Sequence, residues 1–287
     1  MHRFTCRALV ALSLSCSTFV APPGAARAAE TSPSTTSHKA RNEALRAIPF
    51  QRISPVHRRK IHEVLADTSL YRRMPTMTVD CYPPLFTYMA QNPEVLVQIW
   101  RQLGISNVDL VRTGENSFRL TDSFGTVGSL TIVDQQCDDR AQNQVVMVAE
   151  GAYDGKPFKN PVRADCVLLL RSGSVVETNG RQYVAARLDT FIRIDRTSLE
   201  LFAKAVHPLV GKTADRNFAD TIQFIGNMSQ ASATRPATIE RLANSLPHVS
   251  DGRKNRLVRI TYQCADEAPV SEDARLARAG LGDEPAR

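Results

Sequence analysis

The order of elements predicts a mixed α+β protein, a curved antiparallel sheet of about seven strands packed on a kinked C-terminal helix. Three observations carry this expectation. A short period-two stretch, Thr76 to Cys81, leads into a helical stretch from Pro84 to Leu103. Strand-like runs, about six of them, then fill the interval between Val108 and Asp195, and from Ser198 the apolar spacing changes to that of a helix. Sheets closed by a helix in this way often enclose a pocket.

At the N-terminus, His2, Arg3 and Arg7 precede an apolar run from Ala8 to Ala21, which Pro22, Pro23 and Gly24 end. Ala26, Arg27 and Ala28 then form an A-x-A cleavage signal, so residues 1–28 are predicted to be a secretory signal peptide and the protein to be exported, periplasmic or secreted. The run is shorter than the roughly 20 apolar residues that cross a bilayer. A lipoprotein site at Cys16 would have leucine three residues earlier, where this chain has Ser13. No transmembrane segment is expected after cleavage.

Residues 29–52, rich in Ser, Thr and Ala, are predicted to be a disordered linker ahead of a single domain over 53–246. Ser54 followed by Pro55 is an N-cap and first-turn pair, and Val56, Ile61, Val64 and Leu65 give the apolar stripe of a helix over 55–67. Met77, Val79 and Cys81 alternate with Thr78 and Asp80, the period of a half-buried strand. A helix near Leu85 to Ala90 is punctuated at Asn92-Pro93, and Val95, Leu96, Ile99, Trp100 and Leu103 stripe a second one that Gly104 stops.

Strands are predicted at 108–113, 117–123, 127–134, 143–153, 163–171 and 182–195. Asp154-Gly155 and Asn179-Gly180 are hairpin signals, because a type I′ turn needs positive φ at both central positions. In the last strand Val184, Ala186, Leu188, Thr190, Ile192 and Ile194 share one face, while Tyr183, Arg187, Asp189, Arg193 and Asp195 share the other. The second face is expected to be wet, which leaves ion pairs of Asp189 with Arg187 or Arg193, and of Glu150 with Arg163 or Arg171, contributing little. If that face lined a cavity instead, the same residues would orient a polar head group. Val167 to Leu170 is continuously apolar and reads as a mid-sheet strand covered on both sides.

Leu199, Phe202, Val206, Leu209, Phe218, Ile222 and Ile225 fall on one helical stripe, interrupted by Pro208 and Gly211, so a kink or two consecutive helices are expected. A short helix over Pro236 to Leu246 follows, and Asn255 to Gln263 is ambiguous between strand and helix. Residues 247–287 are predicted to be a largely disordered extension.

The charge excludes one class of partner. Cleavage after Ala28 removes three arginines and no acid, lowering the net charge from +7 to +4. No Lys/Arg block long enough to follow a phosphate backbone is present and aromatic residues are sparse, so no nucleic-acid partner is expected. Arg58-Arg59-Lys60 and Arg72-Arg73 read as a solvated helix face and its flank.

Four cysteines remain after cleavage: Cys81, Cys137, Cys166 and Cys264. Export makes a disulfide reasonable, and Cys81 with Cys166, both on elements expected to share the sheet, is the candidate pair. Alternatively these are small buried apolar side chains. No C-x2-C or H-x3-H spacing suggests zinc, and no cofactor is expected.

The sequence of one strand, two helices, six strands and a C-terminal helix resembles the helix-grip fold of the START-like superfamily, which includes polyketide cyclases, plant pathogenesis-related proteins and lipid-transfer domains. The resemblance spans roughly residues 76–230. The phrases Tyr71-Arg72-Arg73-Met74-Pro75, Asn92-Pro93-Glu94-Val95 and His207-Pro208-Leu209-Val210-Gly211-Lys212 resemble a family of exported planctomycete proteins of unknown function. The START-like resemblance implies a ligand cavity and the second implies no activity. The kinked final helix and the additional segments at both ends depart from the usual plan.

Catalytic motifs are mostly excluded. Gly211-Lys212-Thr213 resembles the end of a phosphate-binding loop, yet Val206 stands where its first glycine is required and a helix precedes it. His57 and His62, five apart, miss the zinc-protease spacing, and no G-x-S-x-G is present. His207 reads as a helix-end residue, with a catalytic base as the sharper alternative. Asn227-Met228-Ser229 matches a glycosylation sequon, which carries no meaning in a bacterial chain.

Three functions follow. The first is a non-catalytic carrier or sensor of a lipid-like or hydrophobic small molecule, its pocket lined by Trp100, Phe118, Leu188, Ile192, Phe218 and Ile225. The second is a structural or interaction protein of the cell envelope with a filled core. The third, a cyclase-type enzyme, requires an inward acid or base.

Overall fold

The computed structural model describes residues 28–137, 142–155, 160–178, 180–195 and 207–268, without the side chains of 207–210. These residues form strands β1 (Ala29–Ser32), β2 (Leu70–Arg73), β3 (Thr76–Asp80), β4 (Asp109–Arg112), β5 (Ser117–Thr121), β6 (Thr126–Gln136), β7 (Asn143–Tyr153), β8 (Val162–Val176) and β9 (Gln182–Ile194). The helices are α1 (His38–Ala47), α2 (Pro55–Ala66), α3 (Pro83–Gln91), α4 (Pro93–Gln102), α5 (His207–Thr234), α6 (Pro236–Ser245) and α7 (Asp251–Glu267). The protein is thus mixed α+β, and its strands form one open antiparallel sheet in the order β1-β3-β9-β8-β7-β6-β5-β4.

β2 and β3 lie end to end along the same side of β9. β2 pairs with residues 189–192 and β3 with residues 183–186, and the N–H of Met74 donates to the Leu188 carbonyl at 2.8 Å. Pro75 follows and has no N–H to give the ladder, which divides the line of strand beside β9 into two.

Helices cover both faces of the sheet. On one face α3, α4, α5 and α7 build the larger core with the inward side chains of β3 to β9, among them Phe86, Ile99, Leu168 and Ile222. On the other, Ala40 and Ala44 of α1 and Ile61 and Val64 of α2 pack on Val146, Val148, Val167, Leu169 and Phe191. The apolar run Val167 to Leu170 is explained by this double cover. Val167 and Leu169 face one core, Leu168 faces the other, and β8 lies between β7 and β9.

Several expectations are corrected. Residues 29–52 are not a linker: β1 pairs with β3, and α1 starts behind Ser37, whose hydroxyl accepts the Ala40 N–H. The outer face of β9 is not wet, because α1 and α2 lie over it. Arg73 is only 8% exposed, so Arg72-Arg73 is no solvated flank. Val56 is exposed while Ile61 and Val64 of the same helix are buried.

Neither hairpin signal makes a two-residue turn. Tyr153 is paired with Val162 and Val176 with Gln182, leaving longer connections between them. Asn179 lies outside the described residues. Residues 255–263 are helical, inside α7, whose Leu257, Ile260 and Cys264 belong to the larger core. The expected stripe positions 199, 202 and 206 lie outside the described residues, as do residues 1–27 and 269–287.

From His207 onward α5 runs as one continuous helix to Thr234, and the part of the expected kinked pair before His207 lies outside the described residues. Pro208 occupies its first turn, where an N–H would have no intrahelical acceptor. Gly211 leaves room for a close approach: a Cβ there would meet the Arg72 guanidinium at 2.9 Å. That guanidinium pairs with Asp215 one turn further along α5 and donates to Ser34 Oγ at 2.9 Å.

Candidate functional site

The inward face of the sheet is organised in rows by strand register. Ile132, Met147, Leu168 and Thr190 form one row, Leu130, Ala149, Cys166 and Ile192 the next, and Gly128, Gly151, Ala164 and Ile194 a third. Side-chain volume falls along this series, so the space between sheet and helices widens towards the glycine row. At Gly128 the strands approach so closely that a Cβ would lie 2.6 Å from the Glu150 carbonyl oxygen, which only glycine avoids.

The space left is an apolar cavity of about 350 Å³. Its walls come from the inward rows of β6 to β9 on one side and from α3, α4 and α5 on the other. Cys166 keeps accessible surface although it lies deep between two other strands, because that surface faces the void.

Of the six residues proposed from sequence, Trp100, Leu188, Ile192, Phe218 and Ile225 line the cavity. Trp100 meets Phe224 edge to face at 5.8 Å between ring centroids, which fixes the indole on the helical wall. Phe118 is elsewhere: it is 1% exposed and packed beneath the Arg112 guanidinium, 4.4 Å from its ring centroid. It is core.

The wall residues missed from sequence include large ones on the strands, such as Leu130, Met147 and Leu168, and the small ones that leave the space, Ala149, Gly151, Ala164 and Cys166. Alternation alone marks them as inward-facing. Their alignment into rows depends on register, which single-strand patterns do not contain.

Titratable groups are scarce on the wall. Burial pushes the Cys166 thiol up to about 12, and the adjacent Asp165 carboxylate acts in the same direction. Glu150 contributes at the glycine row, where backbone is uncovered, while its carboxylate pairs with Lys60 of α2 on the opposite face.

Cys81 and Cys166 do not form the expected disulfide; both are free thiols. Cys166 lines the cavity, whereas Cys81 donates to the Tyr82 carbonyl at 3.5 Å and is held up by burial, away from the thiolate. Ser229 of α5 packs on the Cys81 side of the core. Its hydroxyl accepts the Tyr82 N–H at 2.8 Å and lies 3.8 Å from Cys264 Sγ.

The charged residues weighed from sequence assemble outside the cavity. Asp189 is fully buried and accepts from Tyr71 Oη at 2.7 Å, from Arg73 Nε at 2.7 Å and from Arg171 Nη2 at 3.0 Å. Glu43 of α1 accepts from Arg73 and Arg187, each at 3.0 Å. The hydrogen bond from Arg73 holds the Glu43 carboxyl below its ordinary range, against a smaller opposing effect of burial. The network therefore fastens α1 to β9 and faces no void. Arg193 pairs with Asp165 at 2.5 Å, not with Asp189.

His57 Nδ1 lies 3.1 Å from Oγ of Ser54, the N-cap of its own helix, and His62 stacks on Phe50. The side chain of His207 lies outside the described residues. Among the described residues no group of three or more His, Cys, Asp or Glu side chains is placed to hold a metal, and no helix is long and apolar enough to cross a membrane.

Fold and site together define a class: an α+β protein whose open antiparallel sheet carries helices on both faces and an apolar cavity beneath one of them. Comparison with protein-family models and with curated proteins found no match.

Proposed function

We propose that the protein is a non-catalytic binder of an apolar or amphipathic small molecule, held between the sheet and α5. The observation that carries the reading is the 350 Å³ cavity with its mainly hydrocarbon walls, which lies in the size range of small-molecule sites. A well-packed interior leaves few voids larger than a water molecule, so a space of this size is a departure that calls for an occupant. Ligand binding is also what the START-like resemblance implies.

Export fits the same reading. β1 begins at Ala29, one residue past the expected cleavage after Ala28, so removal of the leader would spare every described element. A filled-core envelope protein is less well supported, given the void. A cyclase-type enzyme would need an inward acid or base, and the described wall brings the Tyr153 phenol and the Cys166 thiol, which burial pushes up to about 12.

Native mass spectrometry of protein purified from its host's envelope fraction tests the proposal. A co-purifying mass of lipid-like size is expected on the wild type and is expected to be lost from Ala149→Leu, which fills the void from the sheet side. Repeated absence of any adduct from folded wild-type protein overturns it.

A further inference from the structure

The polar atoms of the cavity wall say more about its occupant than its apolar surface does. Four wall residues keep a buried hydrogen-bonding atom with no partner among the described residues: Trp100 through Nε1, Asn217 through Nδ2, and Thr126 and Thr190 through Oγ1. All four are more than nine-tenths buried. Buried polar groups in folded proteins are nearly always paired, so four orphans around one void are an unusual concentration. Two of them, the indole N–H and the amide NH2, can only donate. What they lack is an acceptor.

The wall also lacks counter-charge. Among the described wall residues there is no Lys, Arg, His or Asp, and the only carboxylate, that of Glu150, is engaged by Lys60 on the far side of the sheet. A charged head group brought into this space would be desolvated with nothing to pair it.

We propose that the cavity selects an uncharged, mainly hydrocarbon molecule bearing a carbonyl-type oxygen that accepts from Asn217 Nδ2 and Trp100 Nε1. The inference rests on the binding function proposed above and adds the chemistry of the ligand to it. A pure hydrocarbon leaves both donors unsatisfied, and a carboxylate or ammonium brings an unpaired charge. At about 30 Å³ per water-sized group, the cavity holds about a dozen such groups.

Three near-isosteric probes of that size separate the possibilities: 2-acetylnaphthalene, 2-ethylnaphthalene and 2-naphthoate, titrated calorimetrically into the wild-type chain and Asn217→Leu. Trp100 is the only tryptophan in the chain, so its indole N–H gives the single indole cross-peak of a ¹⁵N-labelled sample. The ketone is expected to bind about tenfold more tightly than either analogue, one neutral hydrogen bond's worth, and it alone should move the indole proton downfield. Asn217→Leu should reduce the ketone's preference over 2-ethylnaphthalene, Trp100 Nε1 remaining as a donor, and an unchanged circular dichroism spectrum shows that the variant is folded. Equal affinity for ketone and hydrocarbon, or tightest binding of naphthoate, overturns the inference and leaves the cavity's binding role standing. Binding of none of the three, with an unmoved indole peak, overturns both.

Discussion

The hydroxyl of Tyr71 donates to Oδ1 of Asp189 across 2.7 Å, joining β2 to a carboxylate with no exposed surface in the middle of β9. Arg73 Nε shares the same oxygen, and its Nη2 reaches the Ala40 carbonyl of α1 at 3.1 Å. Burial and the bond to Asp189 both push the Tyr71 phenol upward, keeping it a neutral donor. Asp189→Ala would leave Arg73 and Arg171 without their shared anion beneath α1. The expected loss of unfolding free energy is about 3–5 kcal/mol, against about 1.5–3 kcal/mol for Tyr71→Phe, both read by denaturant titration. A loss below 1 kcal/mol for Asp189→Ala would mean the network is dispensable.

A second buried carboxylate ties the helical layer together. Glu94, 1% exposed at the start of α4, accepts from Arg112 of β4 at 2.7 and 3.0 Å and pairs with Arg253 of α7 at 3.3 Å. Glu94→Ala and Arg253→Ala should therefore be non-additive, with a coupling energy of about 0.5–3 kcal/mol in a double-mutant cycle. Strict additivity would show that α7 docks through its apolar residues alone.

Glu43 gives the α1 attachment a pH dependence. Its folded-state carboxyl titrates below the ordinary glutamate value of 4.5, so as pH falls the unfolded chain takes up this proton first. The stabilisation is complete above pH 4.5 and is lost as pH drops through the lower folded-state value. Because Glu43 is partly exposed, the contribution is expected to stay below about 1 kcal/mol. Glu43→Gln should flatten the acid limb of the stability profile and leave the neutral plateau lower by that amount. An unchanged acid limb would show that Arg73 is satisfied by Asp189 alone.

The thiol of Cys166, pushed up to about 12, should resist alkylation in the folded protein. Iodoacetamide at pH 8, followed by peptide mass mapping, should modify Cys166 at least about 100-fold more slowly in native buffer than in denaturant. A native rate close to the denatured one would place this thiol in open solvent rather than against an apolar wall.

Gly128 is the position where strand spacing and cavity shape meet. Gly128→Ala puts a Cβ against the Glu150 carbonyl and is expected to cost about 1–3 kcal/mol of stability, by denaturant titration. A neutral effect would show that β6 and β7 can separate locally at no cost.

Much of the fold is legible in the sequence because its signals are local. Gly104, with φ of 69°, stops α4 where the apolar stripe ends, and the carbonyl of Trp100 accepts the Ile105 N–H behind it. Ser54 and Pro55 open α2 as an N-cap and first-turn pair, and β7 covers 143–153 as its alternation predicts. What alternation does not contain is the identity of the layer beyond each face. Asp189 looks like a solvated strand residue until register sets it beside Leu169, with Phe191 beside Val167. The apolar run of β8 already implied a second cover; the missing step was to extend that cover to the neighbouring strand. The polar helix α1 could supply it because its inward positions are two alanines, too small to stand out as an apolar stripe. The cavity is of the same kind: its alanines and glycines are unremarkable singly and make a void only in rows.

The helices over the outer face also impose an order on chain synthesis. Ile61 and Val64 precede Phe191, which they help to cover, by well over a hundred residues. At about 5–20 residues per second, some 6–25 s separate their emergence from that of β9. Ile61 and Val64 meet part of their surface earlier, at Val146 and Val148 of β7, but that surface stays incomplete until β9 arrives. Until then the α1–α2 stretch of the nascent chain is a substrate for a chaperone.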